Sequence, residues 1–479
     1  MKRDDVREVL QRLERGDSAS AQSRIRIALD GDGERDGERA SEDSASVRAT
    51  LEAVVAAGAA LREGRVDDLV REAGRAAQIA PPIPEVQLRV GSVLQGAFRF
   101  TGDPALEVLA LDTLSRVADR VEQPDAAVLA RALMGTVHLL SGAFHSCLEL
   151  CDAALALAEV RPPRDAVGAA LAHQFRGYVL FEWNRLREAE EALTTAWESS
   201  EGAAGVRSGV ARMLASLAAA RADDAAMEHW FGALTVTVAE PLTLRNREWL
   251  GAVRARATLG RGDLRDIDAW LRAFGYGDAV AARPDSWIAS RLHELEGALT
   301  LLEATGQWAR ADALAARMIE AAAGRRRWFE ARAASVQAVA GEAAGRPATA
   351  ERHWERALEA GRTGSFVRAY LEGDPRRHRA LARLADAGHV EAARVLAEGA
   401  AQARTHPDPN SSPLTERQTE VLRLVERGLS NKAIGRDLDL SVSTVKTHLR
   451  DAFTRLGASS RTEAVALSRD RGWLPTLPR

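Results

Sequence analysis

The stretch "SNKAIGRDLDLSVSTVKTHLR", residues 430–450, contains two of the three lysines in a chain of 479 residues. Ser430 and Ser441 each stand just before a run that can form a helix. Serine at such a position caps a helix, because its hydroxyl accepts a hydrogen bond from a backbone N–H. Only "DLS" separates the two runs. The stretch therefore predicts two short helices joined by a tight turn, a helix-turn-helix.

The second of these helices is predicted to run to about Leu456 and has two different faces. Its apolar face repeats at i, +4, +7, +8 and +11 and comprises Val445, Leu449, Ala452, Phe453 and Leu456. Its opposite face carries Lys446, Thr447, Arg450 and Thr454. A helix that packs through an apolar face and presents a polar, basic one is typical of a recognition helix, which enters the major groove of DNA.

Position along the helices predicts two kinds of DNA contact. Early turns of a recognition helix reach base edges, so we expect Lys446, Thr447 and Arg450 to read sequence; Lys or Arg suits guanine, and Thr suits a thymine methyl. Amides and hydroxyls at helix starts suit phosphates. The predicted phosphate-binding residues are Ser430, Asn431, Lys432, Ser443, Thr444 and His448. Alternatively, an arginine-rich composition left the two lysines here by chance.

The helix-turn-helix belongs to a unit predicted at residues 414–479. Thr415 with Gln418, and Ser460 with Glu463, form capping-box patterns that open its first and fourth helices. The unit contains twelve Lys or Arg against eight Asp or Glu, a net charge of +4, which leaves −7 for the remaining residues. A basic module on an acidic body favours an anionic partner for the module alone.

Residues 49–402 consist of segments that resemble one another. Each places a small or apolar residue, another four positions later and usually a third three positions after that. The sets are Cys147/Cys151/Ala154, Ala189/Leu193/Ala196, Ala226/Trp230/Ala233, Ile267/Leu271, Ala311/Ala315/Met318 and Ala350/Trp354/Ala357, with weaker copies near Leu69 and Leu106. They begin 42, 37, 41, 44 and 39 residues apart. Such a period predicts an α-solenoid of about eight two-helix repeats, a receiving surface for a ligand or protein.

Nine of the ten tryptophans lie between Trp183 and Trp354. One interpretation is an aromatic groove for a sugar or a peptide. Because Trp230 and Trp354 stand at the position where repeats touch, packing within the core is the favoured interpretation.

The rest of the chain completes the predicted organisation. Residues 1–48 are interpreted as an N-terminal helix and a flexible arm, because 17–48 is rich in Ser, Gly and Asp and lacks aromatics. Prolines and a run of Asp, Asn and Ser predict a linker at 403–413. Alanine and leucine dominate elsewhere, so the predicted class is all-α. No run approaches the roughly 18 to 20 apolar residues of a membrane span, and the charged N-terminus is unlike a secretory signal; we expect a cytoplasmic protein without a membrane partner.

Residues that could perform chemistry are sparse. Histidine and cysteine come close together once, at His138, His145, Cys147 and Cys151. A metal site is one interpretation of this group; two free thiols facing a helix core is the favoured one. No nucleophile, base and orienting acid cluster in the sequence. We therefore predict no enzyme, no catalytic residue, no metal and no cofactor.

The segment "LTERQTEVLRLVERGLSNKAIGRDLDLSVSTVKTHLRDAFTRLGASSRTEAV", residues 414–465, closely resembles the LuxR-type helix-turn-helix family. It departs from the family at Gln418, where glutamate is the rule, and at Ala433 and Gly435, where glutamate and alanine are usual. The resemblance implies a regulator that binds double-stranded DNA, with the fourth helix, Ser460 to Arg471, joining a homodimer on an inverted repeat. Region 4 of sigma factors has a similar core, but nothing upstream resembles a sigma factor.

The repeats resemble degenerate tetratricopeptide repeats, with glycine in the preceding helix at Gly135 and Gly177, although that family's period is about 34 residues. "ERALEAGRTGSFVRAYLEGDPRRHRALARL", residues 355–384, resembles the end of the repeat domain in MalT-like LuxR regulators. Those regulators also carry an ATPase module. Its phosphate loop needs a lysine, and none occurs between Lys2 and Lys432; receiver-type control is disfavoured as well. The resemblance implies a repeat domain that senses a ligand or protein partner. The alternative is an adaptor whose repeats only recruit or dimerise with proteins.

Overall fold

The structure, a computed structural model, describes residues 38–405 and 414–470, with gaps at 64, 121–122, 202, 222, 238–290, 323–324, 375, 415, 439, 457 and 459. Over these residues the chain forms 21 α-helices and no β-strand. The predicted all-α class is confirmed. None of the described helices is both long and apolar enough to cross a membrane.

The helices fall into three groups along the chain. Those of residues 38–237 are α1 (Glu38–Glu63), α2 (Val66–Ile79), α3 (Pro84–Thr101), α4 (Pro104–Ala118), α5 (Pro124–Ser141), α6 (Phe144–Val160), α7 (Val167–Glu182), α8 (Leu186–Glu198), α9 (Ala204–Ala220) and α10 (Asp224–Thr237). Then follow α11 (Leu292–Ala304), α12 (Trp308–Ala322), α13 (Arg327–Ala343), α14 (Pro347–Arg362), α15 (Arg368–Leu371), α16 (Arg376–Asp386) and α17 (Val390–Thr405). The last group is α18 (Glu416–Glu426), α19 (Asn431–Asp437), α20 (Val442–Leu456) and α21 (Arg461–Asp470).

The chain divides into two compact units, residues 1–402 and 403–479. Helix α17 continues to Thr405, through the first three residues of the predicted linker. Residues 406–413 of that linker lie outside the described residues.

In the first unit, helices pack against their chain neighbours as pairs: α1 with α2, α3 with α4, α5 with α6, α7 with α8, α9 with α10, α11 with α12, and α13 with α14. Helix α5 shows what sets the boundaries. Pro124 begins it, at a position where a missing N–H costs nothing. Gly142 ends it with a left-handed φ of 89°, and its N–H donates to the Leu139 carbonyl at 3.1 Å. Seven of the predicted repeats are thus described, and the Ile267/Leu271 set lies outside the described residues.

The predicted contact sets lie on the second helix of each described pair. Buried as predicted are Leu69, Leu106, Cys147, Cys151, Ala154, Ala189, Leu193, Ala196, Ala311, Ala315, Met318, Ala350, Trp354 and Ala357. In these repeats the spacing alone identified the helix face that packs.

One repeat has a different register from the predicted one. Helix α10 buries Met227, Phe231 and Leu234. The predicted set, Ala226, Trp230 and Ala233, is only half-buried. Both series share the i, +4, +7 spacing, and the one with three large apolar side chains turns inward because it removes more continuous apolar surface from water.

The two glycines noted in the sequence lie where paired helices touch. A Cβ on Gly177 would stand 2.6 Å from Leu193 Cγ, and one on Gly135 would stand 3.3 Å from the Cys147 carbonyl oxygen. A Cβ would overlap its neighbour at Gly177 and would be tight at Gly135, so glycine allows both pairs of helices to approach closely.

The prediction of a flexible arm is wrong for residues 38–48, because α1 already begins at Glu38. One serine of this segment, Ser46, is used in structure. Ser46 donates its hydroxyl proton to the Ile79 carbonyl at 2.7 Å, and Thr50 donates to the Ser46 carbonyl at 2.8 Å. Val47 is buried. Contacts with α2, which composition does not reveal, order this part of the arm; residues 1–37 lie outside the described residues.

Residues 364–372, here called the return segment, pack back on the end of α7. The Val367 N–H donates to the Glu182 carbonyl at 3.3 Å, and Trp183 Nε1 donates to the Gly364 carbonyl at 2.8 Å. Phe366 meets Phe144 with ring centroids 4.7 Å apart. The return segment is therefore in direct contact with repeats that lie more than 180 positions earlier in the chain.

The described tryptophans pack within the repeat domain. Trp354 is buried in the largest core cluster, and Trp197 and Trp230 meet edge-on with ring centroids 5.1 Å apart. Trp308 lies 5.3 Å from the guanidinium carbon of Arg376. Outside the described residues are Trp249, Trp270, Trp287 and Trp473.

Candidate functional sites

Helices α18 to α21 surround one small apolar core. Its buried members are Leu414, Val421, Leu422, Leu424, Val425, Ile434, Val445, Leu449, Ala452 and Ala464. Phe453 and Leu456 pack against them. The apolar face predicted for the recognition helix α20 is confirmed, and its other face is left outside this core.

Serine caps fix the starts of three of these helices. The Ser430 hydroxyl accepts from the Ala433 N–H at 3.3 Å, and that of Ser441 accepts from the Thr444 N–H at 3.0 Å. Ser460 accepts from the Glu463 N–H at 3.2 Å. The predicted boundaries of α19, α20 and α21 follow from these bonds.

The three predicted base-reading residues are exposed on one helix face. Lys446, Thr447 and Arg450 project from α20, and the Arg450 side chain is 76% exposed, with its Nε 3.6 Å from the Asp451 carboxylate. The Thr447 hydroxyl donates to the Ser443 carbonyl at 3.2 Å. Because the hydroxyl is used within the helix, the methyl group is the part of Thr447 that is free to contact a base.

The predicted phosphate-binding residues divide by exposure. Ser430, Lys432 and Ser443 are exposed, whereas Asn431, Thr444 and His448 are half-buried. The hydroxyls of Ser443 and Thr444 each lie 2.7 Å from the Ser441 hydroxyl, so three hydroxyls gather at the start of α20. Together with the N-terminal amides of the helix, these groups are suited to an anion.

Two arginines that the sequence did not single out hold the unit together. Arg417 of α18 donates from Nη2 to the Leu438 carbonyl at 2.6 Å, beyond the end of α19. Arg461 of α21 donates to the Leu429 carbonyl and, at 3.2 Å, to the Asn431 side chain. They fix the segments on both sides of α19. Neither belongs to a spacing pattern, so the sequence carried no signal for them.

The second candidate site is a cavity of about 90 Å³ in the repeat domain. Its walls come from α3, α7, α9, α11, α13 and the return segment, and include Tyr178, Phe181, Glu182, Ser216, Trp328 and Arg368. The space is large enough for a small molecule or several waters.

Glu182 is one of three carboxyl groups that line this second site, with Glu296 and Glu372. It is 5% exposed, and its Oε2 accepts a hydrogen bond from Trp328 Nε1 at 2.9 Å. Burial raises the pKa of Glu182 to about 7, although the guanidinium of Arg368 opposes the shift. Burial also raises the pKa of Tyr178 well above its usual value, so its hydroxyl stays protonated. Near neutral pH the cavity offers a carboxyl that can accept or donate and a phenol that can donate.

Beside the cavity lies a buried ion network. Arg377 Nε donates to Glu303 at 2.6 Å, and Arg332 Nη2 donates to Glu303 at 3.2 Å. Burial opposes ionisation, but the two guanidiniums outweigh it and hold the pKa of Glu303 at about 2. This network joins α11, α13 and α16 and is structural.

Cys147 and Cys151 are both buried and unoxidised. Their mutual hydrogen bond and burial raise the pKa of Cys147 well above its usual value, which leaves a thiol of low reactivity. His145 Nε2 lies 3.0 Å from the Ser365 hydroxyl. Across the part of the chain that the structure describes, no three His, Cys, Asp or Glu side chains are grouped to hold a metal.

Comparison with known families agrees with both units. Residues 52–387 match the MalT-like TPR region, and residues 412–468 match the bacterial regulatory proteins of the luxR family. The first match covers well over half of the chain.

Individual relatives are similar through the C-terminal unit. They include a monoamine regulon transcriptional regulator of Klebsiella aerogenes, 46% identical over 66 residues (14% of this chain and 27% of that protein). The transcriptional regulatory protein YdfI of Bacillus subtilis is 45% identical over 65 residues, 14% of this chain and 30% of YdfI. The regulator MalT of Yersinia pestis is 43% identical over 65 residues, 13% of this chain and 7% of MalT.

In each case the match spans less than a third of the relative's length. It therefore carries the DNA-binding unit and not the relative's other properties. The longer family match and the paired helices of the first unit are independent observations, and both indicate a helical-repeat domain. The chain belongs to the family that carries a MalT-like TPR region, and it joins that region to a C-terminal unit that matches the luxR family of bacterial regulatory proteins.

Proposed function

We propose that this regulator binds an inverted-repeat operator as a homodimer, in the bacterial cytoplasm where the operator lies, and that a small effector in the repeat-domain cavity controls this binding. The observation that carries the DNA-binding part is the exposed face of α20. Lys446 and Arg450 are one helical turn apart, and Thr447 presents its methyl beside them. This combination suits the guanine acceptors and thymine methyls of the major groove.

Backbone contacts supply most of the non-specific affinity in this proposal. Lys432 is exposed on α19, and the hydroxyls of Ser430, Ser443 and Thr444 stand at helix starts. Asn431 and His448 complete the proposed phosphate contacts. Both side chains are half-buried, so we expect them to move less than the Lys432 side chain and to hold the DNA backbone in a more fixed position.

Homodimerisation is proposed through α21. This helix leaves Thr462, Glu463, Ala466 and Arg469 exposed, so a face remains for a second copy after the core has formed. A two-fold dimer explains an inverted repeat, because each copy reads one half-site.

The effector proposal is supported by the cavity around Glu182. The return segment packs against α7 and forms part of the cavity wall. The cavity volume, about 90 Å³, suits a small molecule and is too small for a peptide. An adaptor that only recruits proteins needs no such cavity.

DNA selection with the full-length protein tests the DNA-binding part, and two lysine variants then separate the two kinds of contact. Lys446→Ala should cost roughly 1 to 3 kcal/mol at the selected operator and relax the preference at one base pair. Lys432→Ala should weaken binding to all sequences alike and reduce the salt slope by about one unit. Fluorescence anisotropy at several salt concentrations measures both. Unchanged operator affinity for Lys446→Ala would overturn the assignment of the recognition face.

A further inference from the structure

Among the described residues, the large apolar side chains that remain exposed are Val108, Val160, Val390 and Val442. Only Val442 lies in the DNA-binding unit. It is the first residue of the recognition helix α20 and is 42% exposed.

Val442 stands at the border between the two faces of α20. With Val445 and Leu449 it continues the apolar series at i, +3 and +7, and those two residues are buried. With Lys446 and Arg450 it forms a line at i, +4 and +8 along the exposed face. The small core therefore covers the apolar series from Val445 onward and leaves its first member uncovered, beside the predicted base-reading residues.

The surroundings of Val442 favour DNA over a protein as the group that covers it. Its neighbours are the three hydroxyls of Ser441, Ser443 and Thr444 and, one turn on, the ammonium of Lys446. No carboxylate lies in the first turn of α20. A protein contact would be expected to continue the apolar surface, whereas these neighbours suit phosphates and base edges.

The apolar group that the major groove offers is the C5-methyl of thymine. We propose that Val442 contacts the methyl group of one operator thymine and so adds a sequence preference that the polar residues do not supply. Four helical residues advance about 6 Å, and base pairs are about 3.4 Å apart. The thymine therefore lies about two base pairs from the one that Lys446 reads. This inference rests on the proposed recognition face of α20.

Uracil scanning of the selected operator tests the inference. Each thymine is replaced in turn by deoxyuridine, which removes only the methyl group. One replacement near the Lys446 position should weaken binding of the unaltered protein about fourfold, the factor that corresponds to about 0.8 kcal/mol for one buried methyl-sized group. Val442→Ala should bind the thymine operator several-fold more weakly and should have lost the response to that one replacement.

Two control variants separate the possible failures. Val108→Ala removes the same atoms from an exposed valine of α4 and should leave operator affinity unchanged. If Lys446→Ala weakens binding while Val442→Ala responds to every uracil as the unaltered protein does, the methyl contact is refuted and the recognition face stands. If neither variant changes affinity, both are refuted. An operator without thymine within about three base pairs of the Lys446 position would also overturn the contact. Circular dichroism of each variant verifies that α20 is folded.

Discussion

Two buried glutamates of the repeat domain show how neighbouring side chains determine whether a buried carboxyl group is ionised. Glu303 meets two guanidiniums, which outweigh its burial and hold its pKa at about 2. At Glu182 burial outweighs the attraction of one guanidinium, Arg368, and one hydrogen bond from Trp328, and raises the pKa to about 7. Glu303 is therefore a fixed part of the core, whereas Glu182 changes protonation near neutral pH.

Glu182 should make folding stability depend on pH. Its ordinary pKa is 4.5, against about 7 in the folded protein. Below 4.5 the carboxyl is protonated in both states. Between 4.5 and 7 the folded state keeps a proton that the unfolded state has lost, so the free energy of unfolding falls as pH rises, by at most about 3 kcal/mol.

Glu182→Gln tests this dependence, because the amide oxygen still accepts from Trp328 and no longer titrates. The variant's free energy of unfolding, measured by urea denaturation relative to the unaltered protein, should rise by up to about 3 kcal/mol from pH 5 to pH 8. Glu198→Gln, at an exposed position of α8, controls for the loss of one charge. Parallel stability curves for Glu182→Gln and the unaltered protein would contradict the raised pKa.

At the scale of helices, the repeat domain depends on close approach of paired backbones. Gly177→Ala places a Cβ 2.6 Å from Leu193 Cγ, where α7 meets α8. Overpacking costs about 1 to 3 kcal/mol, and alanine recovers about 1 kcal/mol through its better helix propensity. The variant should therefore be less stable by roughly 1 kcal/mol, seen as a lower urea midpoint at unchanged slope.

Gly74→Ala is the matched control for this prediction. Gly74 lies inside α2, and nothing stands within 4 Å of its added Cβ. The same chemical change should here stabilise the protein by about 1 kcal/mol. If both variants stabilise the protein, helix propensity dominates and close approach does not limit the α7–α8 pair.

Helices and their faces were predictable from sequence where a local pattern determines them. Capping serines placed the starts of α19, α20 and α21, and the i, +4, +7 sets identified the buried face in most repeats. The pattern failed in α10, where two series with equal spacing compete, and at residues 38–48, where contacts with α2 decide. The return segment and the cavity around Glu182 join residues more than 140 positions apart, and no local spacing contains that information.

At the scale of the whole molecule, the two units differ in net charge. The +4 of residues 414–479 suits DNA, and the −7 of the remaining residues does not. Control of DNA binding by an effector then requires coupling between the cavity and the DNA-binding unit. Such coupling is reciprocal, because an effector that changes operator affinity by some factor must have its own affinity changed by operator DNA by the same factor.

Reciprocity gives the effector proposal a quantitative test. Small molecules that raise the melting temperature of the full-length protein are first selected, and operator affinity is then measured with and without them. We expect at least one of these molecules to change operator affinity about 5- to 150-fold. The affinity of that molecule for the protein should change by the same factor when operator DNA is present.

Two variants test whether the molecule binds in the cavity. Ser216→Trp fills the cavity and should abolish both effects; Tyr178→Phe removes one hydroxyl, keeps the ring and should weaken them. A molecule that still stabilises the Ser216→Trp variant and still changes its operator affinity binds outside this cavity. If no molecule couples to DNA, the adaptor alternative is favoured, because recruitment of proteins needs no ligand in this cavity.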